Sequence, residues 1–152
     1  MRRADREITD QAELEMALNE AVYATFALCG DDGPYAVPLN FAHHCGAIYI
    51  HSALEGRKVE ILRENPVVGF SAVVGAELLP AETPCGWGMR YHSVCGTGTA
   101  EMIDDSAEKA RALNLIMAKY SGRGGHAFTE EVLAMVCVFR IRIIGMTGKR
   151  VG

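Results

Sequence analysis

A run of alternating residues interrupted by one proline most constrains this chain. Tyr35, Val37, Leu39 and Phe41 alternate with Ala36, Pro38, Asn40 and Ala42, the period-two pattern of a strand with one buried face. Pro38 has no amide hydrogen to give to a ladder, so this strand should lie at an edge or be interrupted there. Either leaves backbone groups free to meet a ligand. The connection His43-His44-Cys45-Gly46 leads into a second strand, Ala47 to His51, and then a short helix, Gly56 to Asn65, stopped by Asn65-Pro66. The whole stretch, Tyr35 to Pro66, reads as strand, tight connection, strand and helix.

The other elements can be read around it. Thr9 to Ala21 is a helix with Leu14, Ala17, Leu18 and Ala21 on one stripe, and Asp10 with Glu13 has capping-box spacing. Val22 to Leu28 is a strand, and Gly30 to Pro34 a turn. Val67 to Val74 is a strand, Gly75 to Arg90 a long loop, and Tyr91 to Ile103 a strand in which Gly96 and Gly98 signal a bulge or a close backbone approach. A helix runs from Asp104-Asp105-Ser106 to about Tyr120, with Ala110, Leu113, Met117 and Tyr120 on its inner face. Ser121 to His126 is a joint, Thr129 to Leu133 a helical turn, Met135 to Ile144 the last strand, and MTGKR a tail. Six strands and three main helices without βαβ alternation favour antiparallel pairing, and the glycine breaks favour a closed barrel with helices at its ends.

Composition excludes several classes. At 152 residues the chain suits a single domain, residues 1–152. A net charge of −4 gives no basic field for nucleic acid. No apolar run is long enough to cross a membrane, and the charged N-terminus MRRADREITD is no signal peptide. Five cysteines without a C-x-x-C pair argue against a disulfide framework and a standard zinc site, as expected of a cytoplasmic protein. His43-His44-Cys45 is read as a solvated turn rather than a metal site, because adjacent histidines on a turn rarely converge on one ion. Neither G-x-G-x-x-G after a strand nor G-x-x-x-x-G-K-[ST] is present.

The strongest local chemistry is His51 to Lys58, HSALEGRK. A phosphate monoester needs hydroxyl or amide donors and cations that tolerate partial burial. Ser52 offers a hydroxyl past a strand end, the following helix offers free N–H groups, Arg57 a fork and Lys58 a point charge. An Arg-Lys pair is also common on a solvated helix face, so local chemistry leaves both readings open.

The order PLNF, IYIHSALEGRK, ENP, CGWGMRYHSVCGTGTAEMI and EKARALNLIM resembles the pyridoxamine 5′-phosphate oxidase-like FMN-binding split barrels, nearest the branch related to 5-nitroimidazole resistance (Nim) proteins. The resemblance spans roughly residues 8 to 150. It implies a mainly β fold, a six-stranded antiparallel split barrel with flanking helices. It also implies a homodimer with FMN at the subunit interface. Arg57 and Lys58 match the basic pair on the FMN phosphate, with His51 and Ser52 beside it. Val37, Pro38, Leu39 and Asn40 match the strand lining the isoalloxazine ring, and Ser93 and Val94 the segment presented by the partner subunit. His51 also matches a histidine given a catalytic part in Nim-type proteins. The implied activity is reduction of a small-molecule electron acceptor, a nitroaromatic being one candidate. A non-enzymatic module, or one binding a deazaflavin or a haem with its axial histidine among His43, His44, His92 and His126, is the alternative. The chain has no counterpart of the residues that grip pyridoxal in the oxidases, so vitamin B6 oxidation is not implied.

Overall fold

The computed structural model describes residues 3–152. Among them the elements run β1 (Glu7–Ile8), α1 (Gln11–Glu20), β2 (Ala24–Gly30), β3 (Gly33–Leu39), β4 (Ala42–His44), β5 (Ala47–Ser52), α2 (Arg57–Glu64), β6 (Val67–Leu79), β7 (Gly88–Met102), α3 (Ser106–Ser121), α4 (Glu130–Ala134) and β8 (Cys137–Val151). The sheet order is β3-β2-β6-β7-β8-β5-β4, with β1 added beside β8, and every pairing is antiparallel. The two ends of that path, β3 and β4, are halves of one run separated only by Asn40 and Phe41. The path therefore returns on itself as a barrel, split where the run breaks. Counted as one interrupted strand, β3 and β4 join β2, β5, β6, β7 and β8 as the six expected strands. The added β1 is a single two-residue rung on Gly148 and Lys149, too short to show as a pattern.

Pro38 stands on β3, at the edge of the sheet, with β2 as the strand's only neighbour. There its missing donor costs no ladder bond. Inside the barrel Phe26, Phe41, Phe139, Ile48, Ile50, Ile141 and Val94 are almost fully buried. Such residues each contribute about 1.5–3 kcal/mol relative to exposure. Leu14, Ala17 and Leu18 of α1 and Val59, Ile61 and Leu62 of α2 join the same core. Helix α3 instead covers the outer face of the sheet, where Ile103, Ala112 and Val138 form a small second core with Tyr49.

Several boundaries differ from expectation for identifiable reasons. Asp10 caps α1 by accepting from the Ala12 amide at 2.9 Å, but Glu13 does not close the box. Its carboxylate binds Arg150 at 2.7 Å instead. His43 and His44 are not a solvated turn. They form β4, paired with Ile48 and Ala47, and the turn shrinks to Cys45 (φ 49°) and Gly46 (φ 72°). The span 75–90 is not one long loop. Gly75, at φ 62°, allows a bulge between Val74 and Glu77. Beyond it β6 and β7 run on as an exposed two-stranded arm, leaving only residues 80–87 between strands. MTGKR is no tail, since β8 continues through it against β7. On α3 the fully buried residues are Ala112 and Ile116, while Met117 is exposed, so the inward face is rotated from the expected one. The expected closeness at the glycines is present. The β7–β8 register shifts between Thr97 and Gly98, and a Cβ on Gly98 would lie 2.6 Å from the Arg142 carbonyl oxygen.

Candidate functional site

The split has two unpaired backbone edges. β3 is bonded to β2 on one side only, and β4 covers β5 only as far as Tyr49. Past that rung Ile50, His51 and Ser52 pair with β8 alone. The edges of β3 and β5 thus diverge from the break at Asn40-Phe41, and the start of α2 reaches back across their far end. Arg57 makes this connection: its Nη2 donates to Asp32 Oδ2 at 2.8 Å, and its guanidinium lies 4.7 Å from the centre of the Tyr35 ring. The interaction with Asp32 and Tyr35 had no signal in the sequence, because it joins residues more than twenty positions apart.

The helix start is open. Gly56 precedes it at φ 121° and ψ 163°, and no side chain caps it. Such a terminus presents free amide donors and the positive end of the helix dipole. Lys58 follows, half-buried, its ammonium destabilised by that burial. His51 sits next to it in charge as well as in space. Burial first, and the Lys58 charge second, lower its basicity below the ordinary histidine value. Its Nδ1 is buried without a hydrogen-bond partner. Ser52, half-buried, stands on the last rung of β5 opposite Cys137. The structure therefore places His51 near Lys58 at one corner, with Ser52 next along β5, while the Arg57 guanidinium at the start of α2 is turned to Asp32 and Tyr35.

The remaining candidates are divided by the pleat. Val37 and Leu39 are packed against the core, so beyond their backbone they offer little to a ligand. Pro38 and Asn40 are exposed on the other side. Ser93 and Val94 are on β7, with β6 and β2 between it and β3. One chain does not bring them to the corner. Val94 is itself a core residue at 1% exposure, and Ser93 Oγ lies 3.5 Å from the Lys149 carbonyl oxygen.

The histidines do not gather. His43 and His44 alternate across β4, which sends them to opposite sides. His43 Nδ1 lies 3.3 Å from Asn19 Oδ1. Among the described residues no three His, Cys, Asp or Glu side chains are placed to hold a metal ion.

Two residues of α3 bear on the split: Tyr120, expected on the inner face of the helix but not in this role, and Lys119, which had no signal in the sequence. The Tyr120 hydroxyl bonds the Phe41 amide and the Val22 carbonyl. Lys119 Nζ sits 3.6 Å from the centre of the Phe41 ring and donates to the Leu18 carbonyl at 3.4 Å. A separate cavity of about 540 Å³ lies between α3 and the outer face of the sheet, and none of the corner residues lines it. Among the described residues no helix is long and apolar enough to cross a membrane.

A family model described as pyridoxamine 5′-phosphate oxidase matches residues 10–150. The structure resembles that of a candidate 5-nitroimidazole antibiotic resistance protein from Bacteroides thetaiotaomicron VPI-5482. The TM-score is 0.84 at 30% identity, over 94% of this chain and 85% of that one. It also resembles a FAD and heme binding protein from Mycobacterium smegmatis, with a TM-score of 0.84 at 22% identity over 95% and 73% of the two chains. An uncharacterised protein of Rhizobium meliloti (strain 1021) is 42% identical over 47 residues, which are 31% of this chain and 30% of that protein.

Proposed function

Because this chain belongs to the pyridoxamine 5′-phosphate oxidase family, we propose that it is an FMN-binding flavoprotein, an oxidoreductase that reduces a small oxidised acceptor. A nitroaromatic is the first class to try, given the 5-nitroimidazole resistance candidate among similar structures. The observation that carries the reading is the corner of the split: an uncapped helix start, Arg57, Lys58 and Ser52 beside two unpaired strand edges.

The residues present fit such a group. An uncapped helix N-terminus preceded by glycine suits a phosphate. Lys58 is half-buried and would gain from an anion, and Arg57 uses only one nitrogen on an exposed Asp32, leaving donors of its fork free. The unpaired edge of β3 from Val37 to Leu39 would line the ring, with the amide of Asn40, just past the strand, at its polar rim. His51, whose burial and Lys58 neighbour favour the neutral imidazole, would accept or return a proton on the acceptor side and is the proposed catalytic residue. FMN, when bound, supplies the electron-transfer chemistry.

A second copy is part of the proposal. Ser93, and Val94 through its backbone alone because its side chain is in the core, would reach the flavin only from a partner subunit. The surface around them is suited to being covered: Val73, directly opposite Ser93 in the β6–β7 ladder, is 51% exposed, and Leu78, Trp87 and Met89 are exposed on the arm. Such apolar surface marks interaction sites. The proposed location is the cytoplasm.

The test is direct. Purified protein should be yellow or bind added FMN one to one per chain, as a dimer in analytical ultracentrifugation. Mass spectrometry of the released small molecule separates FMN from FAD, a deazaflavin or haem. The double change Arg57→Ala and Lys58→Ala should weaken FMN binding by at least about tenfold, since two charge-assisted contacts are lost, with little change in thermal midpoint. A protein that does not bind FMN, or a double variant that binds FMN as well as the parent, overturns the reading.

A further inference from the structure

We propose that the cavity between α3 and the outer face of β5 and β8 is a second ligand site, one that takes a small, flat organic anion. At about 540 Å³ it falls within the roughly 300–1,000 Å³ usual for small-molecule sites. Tyr49, Ile103 and Leu115 make an apolar wall, and the charged groups lie at its sides: Arg140 from the sheet, Arg111 and Glu108 from α3.

The two guanidiniums make the site selective for anions. Each is only partly committed. Arg140 Nη2 donates to Glu101 Oε2 at 3.1 Å, and Arg111 Nη2 lies 3.6 Å from Glu108 Oε1. A guanidinium has five donors, and Arg140 Nε is buried with no hydrogen-bond partner. Proteins rarely leave such a donor unpaired. A carboxylate or sulfonate would accept from the arginines while a ring lies against Tyr49 and Leu115. Glu108 and Glu101 limit the excess positive charge, which favours a monoanion over a phosphate ester.

The site is distinct from the proposed flavin corner, since Ser52, Arg57 and Lys58 do not line it. It is nevertheless close to it. Tyr49 and His51 are two residues apart on the same side of β5, about 7 Å along the strand.

The probes are 1-anilinonaphthalene-8-sulfonate and its uncharged analogue N-phenyl-1-naphthylamine, titrated by fluorescence into the full chain with and without FMN. The anionic dye should bind at one site per chain and at least tenfold more tightly than the neutral one. Arg140→Met should weaken the anion tenfold or more and the neutral dye less than twofold. Arg111→Gln, at an exposed position, serves the same purpose if Arg140→Met does not fold. Ala118→Trp, which fills the cavity without altering a charge, should abolish binding of both. Equal affinity for the two dyes, unchanged anion binding in the arginine variants, or retained binding in Ala118→Trp would overturn the proposal. So would loss of dye binding on saturation with FMN, which would make the cavity part of the flavin site. Loss of flavin binding with dye binding intact would sink the flavin reading alone.

Discussion

The Tyr120 hydroxyl accepts a hydrogen bond from the Phe41 amide at 2.9 Å and donates one to the Val22 carbonyl at 2.6 Å. A side chain in the last turn of α3 thus takes the place of a strand neighbour at the point where the run from β3 to β4 breaks. Tyr120→Phe would leave the Phe41 amide and the Val22 carbonyl without these partners. The expected loss is about 1–3 kcal/mol in urea unfolding, with faster hydrogen exchange at Phe41 than at the β2–β3 ladder. Unchanged exchange at Phe41 would show that the hydroxyl does not hold the break.

Gly56 tests the helix entry through backbone alone. A Cβ built there meets nothing within 4 Å, yet its φ of 121° with ψ of 163° is a region essentially reserved for glycine. Gly56→Ala should therefore cost about 1–3 kcal/mol by strain rather than by clash. FMN affinity should fall with it, because relief of the strain would re-aim the first amides of α2. Retained stability together with retained affinity would argue that the entry conformation is not needed.

His51 and Lys58 are coupled in a direction that can be read by NMR. Burial and then the Lys58 charge hold the imidazole below its ordinary value of 6.5. Lys58→Met should move the His51 titration upward. A folded-state value below the unfolded one means the unfolded chain takes up protons first. The stability contribution is then present above the unfolded value and is lost as pH falls through it toward the folded value. His51→Gln should accordingly flatten part of the loss of stability below pH 6.5. A His51 titration unmoved by Lys58→Met would remove the electrostatic link between them.

Lys119 makes the opposite end of the pH range informative. Burial lowers its ammonium to about 8 from 10.5, with the Phe41 ring and the Leu18 carbonyl as its neighbours. The folded chain therefore gives up this proton before the unfolded one does, so the contribution of Lys119 to stability grows as pH rises from about 8 to about 10.5. Lys119→Met should compare best with the parent at pH 7 and lose that advantage by pH 10. A difference between the two proteins that stays constant over this window would contradict the assigned burial.

Legibility followed the range of the interaction. The alternation from Tyr35 to Leu39 and the edge position of Pro38 are local patterns that appear where they point, whereas the expected continuation to Ala42 breaks after Leu39, with Phe41 and Ala42 both buried. The close approach at Gly98 was equally visible, because a glycine inside a strand signals it whatever the partner. Where the local signal was ambiguous, it misled. Gly75, Pro80 and Pro84 looked like a loop, yet a bulge at Gly75 lets β6 and β7 continue as a paired arm. The pairing of β8 through MTGKR has no trace in those residues, since glycine and lysine carry weak strand preference and the neighbour, β7, supplies the ladder.

The sequence by itself therefore determined the six main strands, the three longer helices and the edge position of Pro38. These depend on periodicity and backbone chemistry, which each residue carries with it. Tertiary structure alone decided that the run breaks at Asn40-Phe41 under Tyr120, that Arg57 lies on Tyr35 and Asp32, that Val94 faces the core, and that Arg140 keeps a buried donor beside a cavity. Each of these joins residues distant in the chain. Their geometry is fixed by which strands become neighbours when the barrel closes, and no local pattern encodes that.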